Sequence, residues 1–569
     1  MAVSLYGLRY KIAAAAVVKS AAARAARVPG VRGGVVRLAE RLQPDGEQTG
    51  SYRGLAAGLL REALPGEDGG EALVYDPVAG LVPGPQPESP PEVEQLRRRA
   101  EQSGAAADLV ALAAAYRSSA AGEFELSAQA YEQAFDVNPK DLRAVEGLLV
   151  SGARSHHDWP RIWSRVQTLK PHRGPLASAT PLWEAVEALF SPDPSPEEVR
   201  QAVQELESRS GQLSSLHQLL IETLAQRLQF LGAFWAGAQL RRVMAQNRVR
   251  ELRGIPLESA LWLKHLLGAY AYLEEGSRLE RSAARPPLDS LSVKTSRQVE
   301  KLRADVALWN GDAGPLRAHA AEREEEILSS AETSAGAAAE ESMRRLVAGK
   351  RVAVVGPAAG QEELGALIDS YDVVVRTNIH RPLDPQRAAV IGSRTDVSYY
   401  AGLDLIRRQE EIAWAVEDGV VQLAVTRPHL LPVFPEPPAW LRIARFEFGL
   451  YFRGAPMGIQ RILYDLLQFG PAEIGLFHAD FYAGEQVLSE GYRDDALSFG
   501  PHSQANDPVV MHDLSFEFRL TRRLARAGLI TPHGTAAEVL DLTEEEYLER
   551  LEDRSTLLRP KPDSSAGAS

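Results

Sequence analysis

The sequence contains no cysteine at all, which excludes disulfide bonds and thiolate metal sites. A reducing cytoplasm is the simplest compartment for such a chain. It also lacks any run of about 18 apolar residues, which argues against a transmembrane helix. Basic residues are outnumbered, because 63 Lys and Arg stand against 76 Asp and Glu and give a formal net charge of -13. This balance argues against a dedicated DNA- or RNA-binding protein.

The length of 569 residues is too great for one hydrophobic core, and two or three domains are expected. Changes in composition along the chain divide it into six predicted parts. They are a basic N-terminal arm (1–64), a Gly- and Pro-rich linker (65–91), an α-helical domain (92–319), a connecting helix (320–349), an α/β domain (350–554) and a disordered tail (555–569).

The N-terminal arm carries seven basic residues before its first acidic residue, Glu40. Apolar residues such as Ile12 and Val17 lie between them, so residues 1–41 are predicted to make peripheral contact with an anionic membrane surface. The apolar segment 12–18 is short for a secretory signal. A solvated helix or a disordered start is the alternative interpretation.

The helical domain contains a segment, 111–149, that resembles a tetratricopeptide unit. Its small residues follow the spacing of that repeat, as do Tyr116, Tyr131 and Pro139. A fainter second unit ends near Pro171. We predict degenerate helical repeats that bind a protein partner or pack on the C-terminal domain, because stacked helix pairs must bury their apolar faces. An ordinary helical domain without a partner is the alternative.

From residue 350 onward, short β-branched runs alternate with helical segments, as expected for a mostly parallel, Rossmann-like sheet in an α/β domain. Ligands of such sheets bind outside the carboxyl ends of the strands. The predicted strands are 351–355, 372–376, 395–400, 420–426, 442–448, 473–477 and 509–511. The predicted helices between them include 362–370, 403–417 and 457–469.

The first strand ends in the turn Gly-Pro-Ala-Ala-Gly at 356–360, which lets a ligand approach the backbone closely. A dinucleotide site is disfavoured because the turn is G-x-x-x-G rather than G-x-G-x-x-G. The second strand ends in Arg376, Thr377 and Asn378, where a dinucleotide site would place an acidic residue. A cation and an amide suit a phosphate and a hydrogen-bonded sugar or base instead.

These residues resemble the long motif of the animal sialyltransferases, glycosyltransferase family 29. That motif reads approximately C-A-V-V-G-N-S-G, then I-D, H-D-x-V-I-R-x-N and D-V-G-x-K-T. Here the corresponding text is V-A-V-V-G-P-A-A-G from Val352, I-D ending at Asp369, Y-D-V-V-V-R-T-N ending at Asn378, and I-G-S-R-T-D ending at Asp396. The match is extended and keeps the order of the family.

The two later motifs of the family also have counterparts in the same order. Residues 455–458, Ala-Pro-Met-Gly, are similar to the short motif, and the segment from His512 to Glu517 matches its final His-x4-Glu. Val352 and Pro471 stand where the family has two cysteines, as expected for a cytoplasmic relative. Pro357 stands where the family has asparagine. The resemblance covers roughly the last 200 residues.

The resemblance implies an inverting transferase that needs no metal ion. Together with the absence of cysteine, it leads to the hypothesis of a cytoplasmic, bacterial-type enzyme without a cofactor. It would move a sialic acid or a related nonulosonic or keto-sugar from a CMP-activated donor to a hydroxyl of a glycan or cell-wall polymer. A base must then take the acceptor proton, and the leaving CMP needs positive or N–H stabilisation. His512 is the predicted base, since an ordinary histidine pKa of about 6.5 suits this step.

Other residues take supporting roles in this interpretation. Glu517 is predicted to fix the start of the helix after His512, and His502 to stabilise the leaving phosphate, with His478 as the competing candidate. The predicted CMP-sugar contacts are Gly356, Pro357, Ala358, Gly360, Arg376, Thr377, Asn378, Pro456, Met457, Gly458 and His478.

Several of these positions have a second interpretation. Arg376 and Asp369 can be structural, Tyr399 can simply pack in its strand, and Asp494 with Asp495 is expected to be solvated rather than to bind a metal. A different class of function is a non-catalytic adaptor, whose helical repeats bind a protein and whose α/β domain senses a nucleotide. The departures from the family at 357 and 457 favour the adaptor. A transferase for another nucleotide-sugar is a third alternative.

Overall fold

The computed structural model describes most of the chain between residues 93 and 553. The described ranges are 93–118, 124–153, 159–166, 180–189, 195–209, 218–230, 232–253, 260–285, 291–329 and 334–553, the last with gaps at 359, 361, 379–384, 401–404, 406–407, 432–433, 435–436, 453–455 and 485–511. The arm, the linker and the tail fall outside these ranges, as do His502, Asp494, Asp495 and the predicted strand 509–511.

The described residues before the sheet are helical. The helices are α1 (Val93–Ser103), α2 (Ala106–Ser118), α3 (Phe124–Val137), α4 (Leu142–Gly152), α5 (Trp159–Val166), α6 (Thr180–Leu189), α7 (Pro196–Ser208), α8 (Gln218–Phe230), α9 (Phe234–Leu252), α10 (Ala260–Tyr272), α11 (Gly276–Ala283), α12 (Val293–Trp309), α13 (Gly314–Ser329) and α14 (Ser334–Val347). Among the described residues, none of the helices combines the length and apolar character needed to cross a membrane.

Local sequence signals explain where several of these helices begin. Ser195 and Glu198 form a capping box at the start of α7, where Pro196 occupies the first turn. Asp141 accepts the backbone N–H of Arg143 and caps α4. Such caps satisfy backbone donors that have no partner inside the helix.

The seven described strands form one all-parallel sheet, which confirms the α/β class. The strands are β1 (Arg351–Val355), β2 (Val373–Thr377), β3 (Val397–Tyr399), β4 (Leu423–Thr426), β5 (Leu441–Ile443), β6 (Glu473–Phe477) and β7 (Thr531–Pro532). Their order across the sheet is β5-β4-β3-β2-β1-β6-β7.

Helices connect the strands and follow the last one. They are α15 (Gly365–Asp369), α16 (Pro385–Ile391), α17 (Gln409–Glu417), α18 (Gly458–Leu467), α19 (Leu514–Arg526), α20 (Thr535–Asp541) and α21 (Glu544–Asp553). Before the sheet, the predicted connecting helix corresponds to the end of α13 and to α14, which packs against β4 and β5. α14 therefore covers the sheet as one of its flanking helices.

The strand bounds differ from the sequence predictions at several points. β1 and β6 have the predicted bounds, whereas β5 ends at Ile443 rather than at Phe448. The prediction of a longer strand was wrong because Arg445 is buried in ion pairs with Glu340 and Glu324 instead of continuing the sheet. β7 was not predicted, since two residues ending in Pro532 carry no β-branched run.

Buried polar contacts join the helices before residue 350 to the α/β domain. Asp305 of α12 accepts a hydrogen bond from the hydroxyl of Tyr464 at 2.6 Å and another from the backbone N–H of Gly449 at 2.7 Å. Glu340 of α14 accepts Nε of Arg442 at 2.8 Å. These carboxylates lie in the core of the α/β domain, so α12 and α14 contribute to its folding.

The order of the strands places the switch point of the sheet at the carboxyl ends of β1 and β6. The chain proceeds from β1 outward to β5 and then crosses back to place β6 on the other side of β1. Val355 is in register with Arg376 on one side and Phe477 on the other. Gly356 thus lies between the ends of β2 and β6, at the switch point where ligands of such sheets bind.

Candidate functional site

The glycine-rich turn after β1 packs directly against the end of β6. Gly356 donates its N–H to Phe477 O at 2.8 Å, and Ala358 donates to His478 O at 3.1 Å. A Cβ atom at Gly356 would lie less than 3.0 Å from the His478 carbonyl, and one at Gly360 less than 3.0 Å from its Nδ1. Glycine is therefore required at both positions for the turn to reach β6.

His478 is buried at this switch point and is held by its ring. Its Nε2 lies 3.0 Å from the carbonyl oxygen of Val390. Because a carbonyl only accepts, Nε2 carries the hydrogen and Nδ1 is left as an acceptor toward Gly360. Burial lowers the pKa of His478, so the ring is neutral at pH 7.

Strained backbone collects at the same ends of the strands. Asn378, His478, Phe481 and Tyr482 have φ values of 64°, 46°, 51° and 66°. They are four of the five non-glycine residues with positive φ in the described part of the chain. Such conformations cost free energy and concentrate at functional sites. The ends of β2 and β6 are therefore candidates for a functional site.

The start of α18 closes the crevice beside β2. A Cβ atom at Gly458 would meet Cγ2 of Thr377 at 3.1 Å. Met457 is the residue before the helix, and its side chain makes no capping hydrogen bond. Pro456, just before it, is buried. The free N–H groups of a helix start favour an anion, so α18 supplies a phosphate-compatible wall to the crevice.

Glu517 in the first turn of α19 reaches this helix start. Its Oε1 accepts the N–H of Met457 at 2.9 Å. Burial raises the pKa of Glu517 from 4.5 to about 8, so the carboxyl is neutral at pH 7. Glu517 thus positions the loop before α18 without adding a charge to the site.

His512 precedes α19 and is 18% exposed at its side chain. Its Nδ1 lies 3.9 Å from Oε1 of Glu517, which is too long for a hydrogen bond. Asp513 caps α19 by accepting the N–H of Phe516 at 3.1 Å. The cap fixes the backbone on which His512 is carried.

Two side chains from the helical part also hold the His512 loop, and sequence reasoning missed both. Gln229 of α8 donates from Nε2 to the carbonyl oxygen of His512 at 2.9 Å. Arg241 of α9 donates to Gln229 and lies 3.5 Å from Asp513. No sequence signal could reveal them, since nearly 300 residues separate the partners.

Arg376 faces backbone carbonyls. Its Nε donates to Arg394 O at 2.9 Å and its Nη2 to Ile391 O at 2.6 Å. Burial lowers its pKa to about 10, so it stays charged at pH 7. Asp369 accepts the N–H of Ser393 at 2.9 Å in the same loop. These contacts favour the structural interpretation of both residues.

Tyr399 also has a structural contact, because its hydroxyl donates to the buried Asp465 at 2.6 Å. Asp480 was not predicted, although an acid directly after the β6 run is a visible signal. It accepts the N–H of Tyr482 at 3.0 Å, and burial raises its pKa to about 6. The hydroxyl of Tyr547 in α21 donates to Phe481 O at 2.7 Å and so fixes the backbone of this loop.

The structure thus brings most of the predicted site residues to one edge of the sheet. The turn at 356–360 contacts His478, while Gly458 approaches Thr377 and Met457 donates to Glu517. The pairing of β1 with β2 places these two groups of contacts at the same edge of the sheet. In the described ranges, no group of three or more His, Asp or Glu side chains could hold a metal ion. Comparison with family models, curated proteins and solved structures finds no match to this chain.

Proposed function

We propose that the protein is a metal-independent glycosyltransferase that uses a CMP-activated sugar. It moves a sialic acid or a related nonulosonic or keto-sugar to a hydroxyl of a glycan or cell-wall polymer. The observation that carries this proposal is the contact between Glu517 and Met457, which joins the two later motif matches beside the end of β2. A chance pair of short matches has no reason to meet beside the end of β2.

The nucleotide lies in the crevice between β1 and β6 in this proposal. The turn at 356–360 has no bulky side chain, so a pyrimidine nucleotide can approach its backbone. Asn378, held at φ 64°, offers an amide at the end of β2. The start of α18 supplies N–H groups to the phosphate of CMP.

His512 acts as the base in the transfer step. It takes the proton of the acceptor hydroxyl as that oxygen attacks the anomeric carbon, and the bond from that carbon to the phosphate oxygen of CMP breaks. The bonding electrons leave with CMP, whose phosphate is stabilised by α18 and by His502. The competing prediction for His478 is wrong, because its one N–H is used by Val390 O and its other ring nitrogen only accepts. Arg241 and Gln229 keep the His512 loop in place.

A nucleotide panel followed by a donor assay tests the proposal. Purified protein is titrated with CMP, UMP, GMP and AMP, and CMP should bind most tightly. CMP release from CMP-sialate and related CMP-sugars is then followed with candidate acceptors. Tightest binding of another base would point to a different nucleotide-sugar. Absence of both CMP binding and turnover across the panel would contradict the proposal.

A non-catalytic adaptor is the second candidate, and Pro357 favours it. Proline has no backbone N–H, so the turn offers a phosphate one donor fewer. In this alternative, tetratricopeptide-like repeats in 92–319 bind a protein partner. Ser127 bonds to Ala113 O and to Ser151 Oγ, both at 2.8 Å, which supports close stacking of α2, α3 and α4. CMP binding without turnover would favour the adaptor.

A cytoplasmic location fits both candidates, since a chain without cysteine has no disulfide that would need an oxidising compartment. The arm at 1–41 would then bring the protein to the inner face of the plasma membrane. Sedimentation with anionic vesicles tests this prediction. The full chain should sediment with the vesicles, and a chain without residues 1–41 should not.

A further inference from the structure

Two arginines meet one carboxylate at the carboxyl ends of β4 and β5. Arg427 directly follows β4, Glu447 lies in the loop after β5, and Arg461 lies in the first turn of α18. Nε of Arg427 donates to Oε1 of Glu447 at 2.9 Å. Nε of Arg461 lies 3.9 Å from Oε2 of the same carboxylate. We call Arg427, Glu447 and Arg461 the arginine pair site.

The arginine pair site has an unbalanced positive charge. One carboxylate faces two guanidinium groups, and the neighbouring Glu517 is neutral at pH 7. Within the described residues, Nε of Arg461 is buried and has no hydrogen-bond partner. Burial, and next the charge of Arg427, lower the pKa of Arg461 to about 10. An anion bound between the guanidinium groups would accept a hydrogen bond from Nε of Arg461 and would reduce the repulsion between the two positive charges.

The arginine pair site is also partly exposed to solvent. The side chains of Arg427, Glu447 and Arg461 are 25%, 33% and 17% exposed. A buried structural ion pair would be closed on all sides, as the one between Arg442 and Glu340 is. Partial exposure lets an anionic group enter without unfolding of the surrounding loops.

The site extends from the first turn of α18, next to the proposed nucleotide site, to the end of β4. β4 is three strands from β1 in the sheet order, which is about 14 Å at the usual spacing of strands. Arg461, in contrast, lies close enough to Glu517 for each charge to act on the pKa of the other. Arg427 therefore lies farther from the turn after β1 than Arg461 does, which favours a group of the acceptor over the CMP phosphate as the anion between them.

We propose that Arg427 and Arg461 form an anion-binding subsite for the acceptor, which takes a carboxylate or a phosphate carried by the acceptor glycan. This inference rests on the proposed function. It assigns the acceptor to the acidic polymers rather than to neutral glycans. Paired guanidinium groups are the usual recognition elements for both anions, because their N–H groups bind two oxygens at once.

Three sugars that differ only in charge test the subsite directly. Glucose, glucuronic acid and glucose 6-phosphate are titrated into the protein in the absence of donor. The two anions should bind, and glucose should not. Arg427→Gln and Arg461→Gln should each weaken anion binding by about tenfold or more, since each removes a charge-assisted contact. Arg351→Gln is the matched control, because its guanidinium pairs with Glu473 at the opposite end of the sheet.

Glu447→Gln should change anion affinity in the direction opposite to the arginine variants. It removes the carboxylate that competes with the ligand, so both anions should bind several-fold more tightly, a result that misfolding cannot produce. Equal binding of glucose and the anions, or no effect of the arginine variants, would overturn the subsite. Weaker binding of CMP-sialate but not of CMP by Arg427→Gln would assign the anion to the donor and overturn the acceptor assignment. Failure to bind CMP would contradict the proposed function alone.

Discussion

Oε1 of Glu517 accepts the backbone N–H of Met457 at 2.9 Å, across 60 residues of sequence. The contact fixes the segment before α18 to the first turn of α19. Met457 and Glu517 are both buried, so this hydrogen bond has no water to replace it. Through it, the position of the His512 loop and that of the α18 start depend on each other.

Removal of the Glu517 carboxyl should uncouple the position of the His512 loop from that of the α18 start. Glu517→Ala leaves a buried N–H unpaired, which should cost about 1–3 kcal/mol of stability and lower turnover. Glu517→Gln keeps an oxygen in place and should retain most of the turnover. Unfolding in urea and initial rates of CMP release measure both effects. Equal losses in the two variants would show that Glu517 acts through its proton rather than through this hydrogen bond.

The raised pKa of Glu517 predicts a specific dependence of stability on pH. Between 4.5 and about 8 the folded protein keeps a proton that the unfolded chain has lost. The free energy of unfolding should therefore fall as pH rises through this interval, by about 1.4 kcal/mol per pH unit from this group. Glu517→Gln has no titrating group at this position.

Urea unfolding of the wild type and Glu517→Gln at pH 6, 7 and 8 isolates that contribution. His512, Asp513, Tyr451 and Arg461 surround the carboxyl in both proteins, so their own titrations largely cancel in the difference. The variant should gain stability relative to the wild type at each step. A constant difference across the series would mean that Glu517 is ionised in the folded protein.

Gly360 should not tolerate a side chain. The Cβ atom of Gly360→Ala would overlap Nδ1 of His478, so the turn must move away from β6. CMP affinity should fall by about tenfold or more, with a loss of stability. Gly276→Ala is the control, since no atom lies within 4 Å of its Cβ position at the start of α11. Calorimetric titration measures the CMP affinity of both variants. Wild-type affinity in Gly360→Ala as well as in Gly276→Ala would contradict this prediction.

Glu340 should matter far more than its neighbour on α14. Glu340→Ala leaves the buried guanidinium groups of Arg442 and Arg445 short of a counter-charge, which should cost about 3–5 kcal/mol. Glu341→Ala removes only an exposed pair with Arg344, which solvent screens, and should leave stability nearly unchanged. Chemical denaturation compares the two. Similar values would show that α14 is not part of the α/β core.

The strands that could be predicted from the sequence are those with a continuous apolar run and a clear end. β1 stops at Gly356, and β6 is bounded by the polar and small residues around Ala472 and His478. β5 was predicted too long because Arg445 and Glu447 alternate with apolar residues, which mimics a strand with one exposed face. Their contacts lie outside the segment, in α14 and at Arg427, and no local pattern contains them.

The site shows the same limit. The order of the motif matches predicted that residues near 356, 378, 457 and 517 would lie together, because the carboxyl ends of parallel strands share one edge. Gln229 and Arg241 could not be found, since they come from the helical part and meet the site only through tertiary packing. The roles of His512 and His502 stay predictions.

The most direct test of the central claim is the rate of CMP release from a CMP-activated nonulosonic acid in the presence of an acidic acceptor. The wild type should turn over, and His512→Ala should be slower by about 10²–10⁴-fold with little change in CMP affinity. Gln229→Ala, which loosens the loop but keeps the imidazole, should fall between them. A His512→Ala protein as active as the wild type, or a wild type that neither binds CMP nor releases it, would contradict the account.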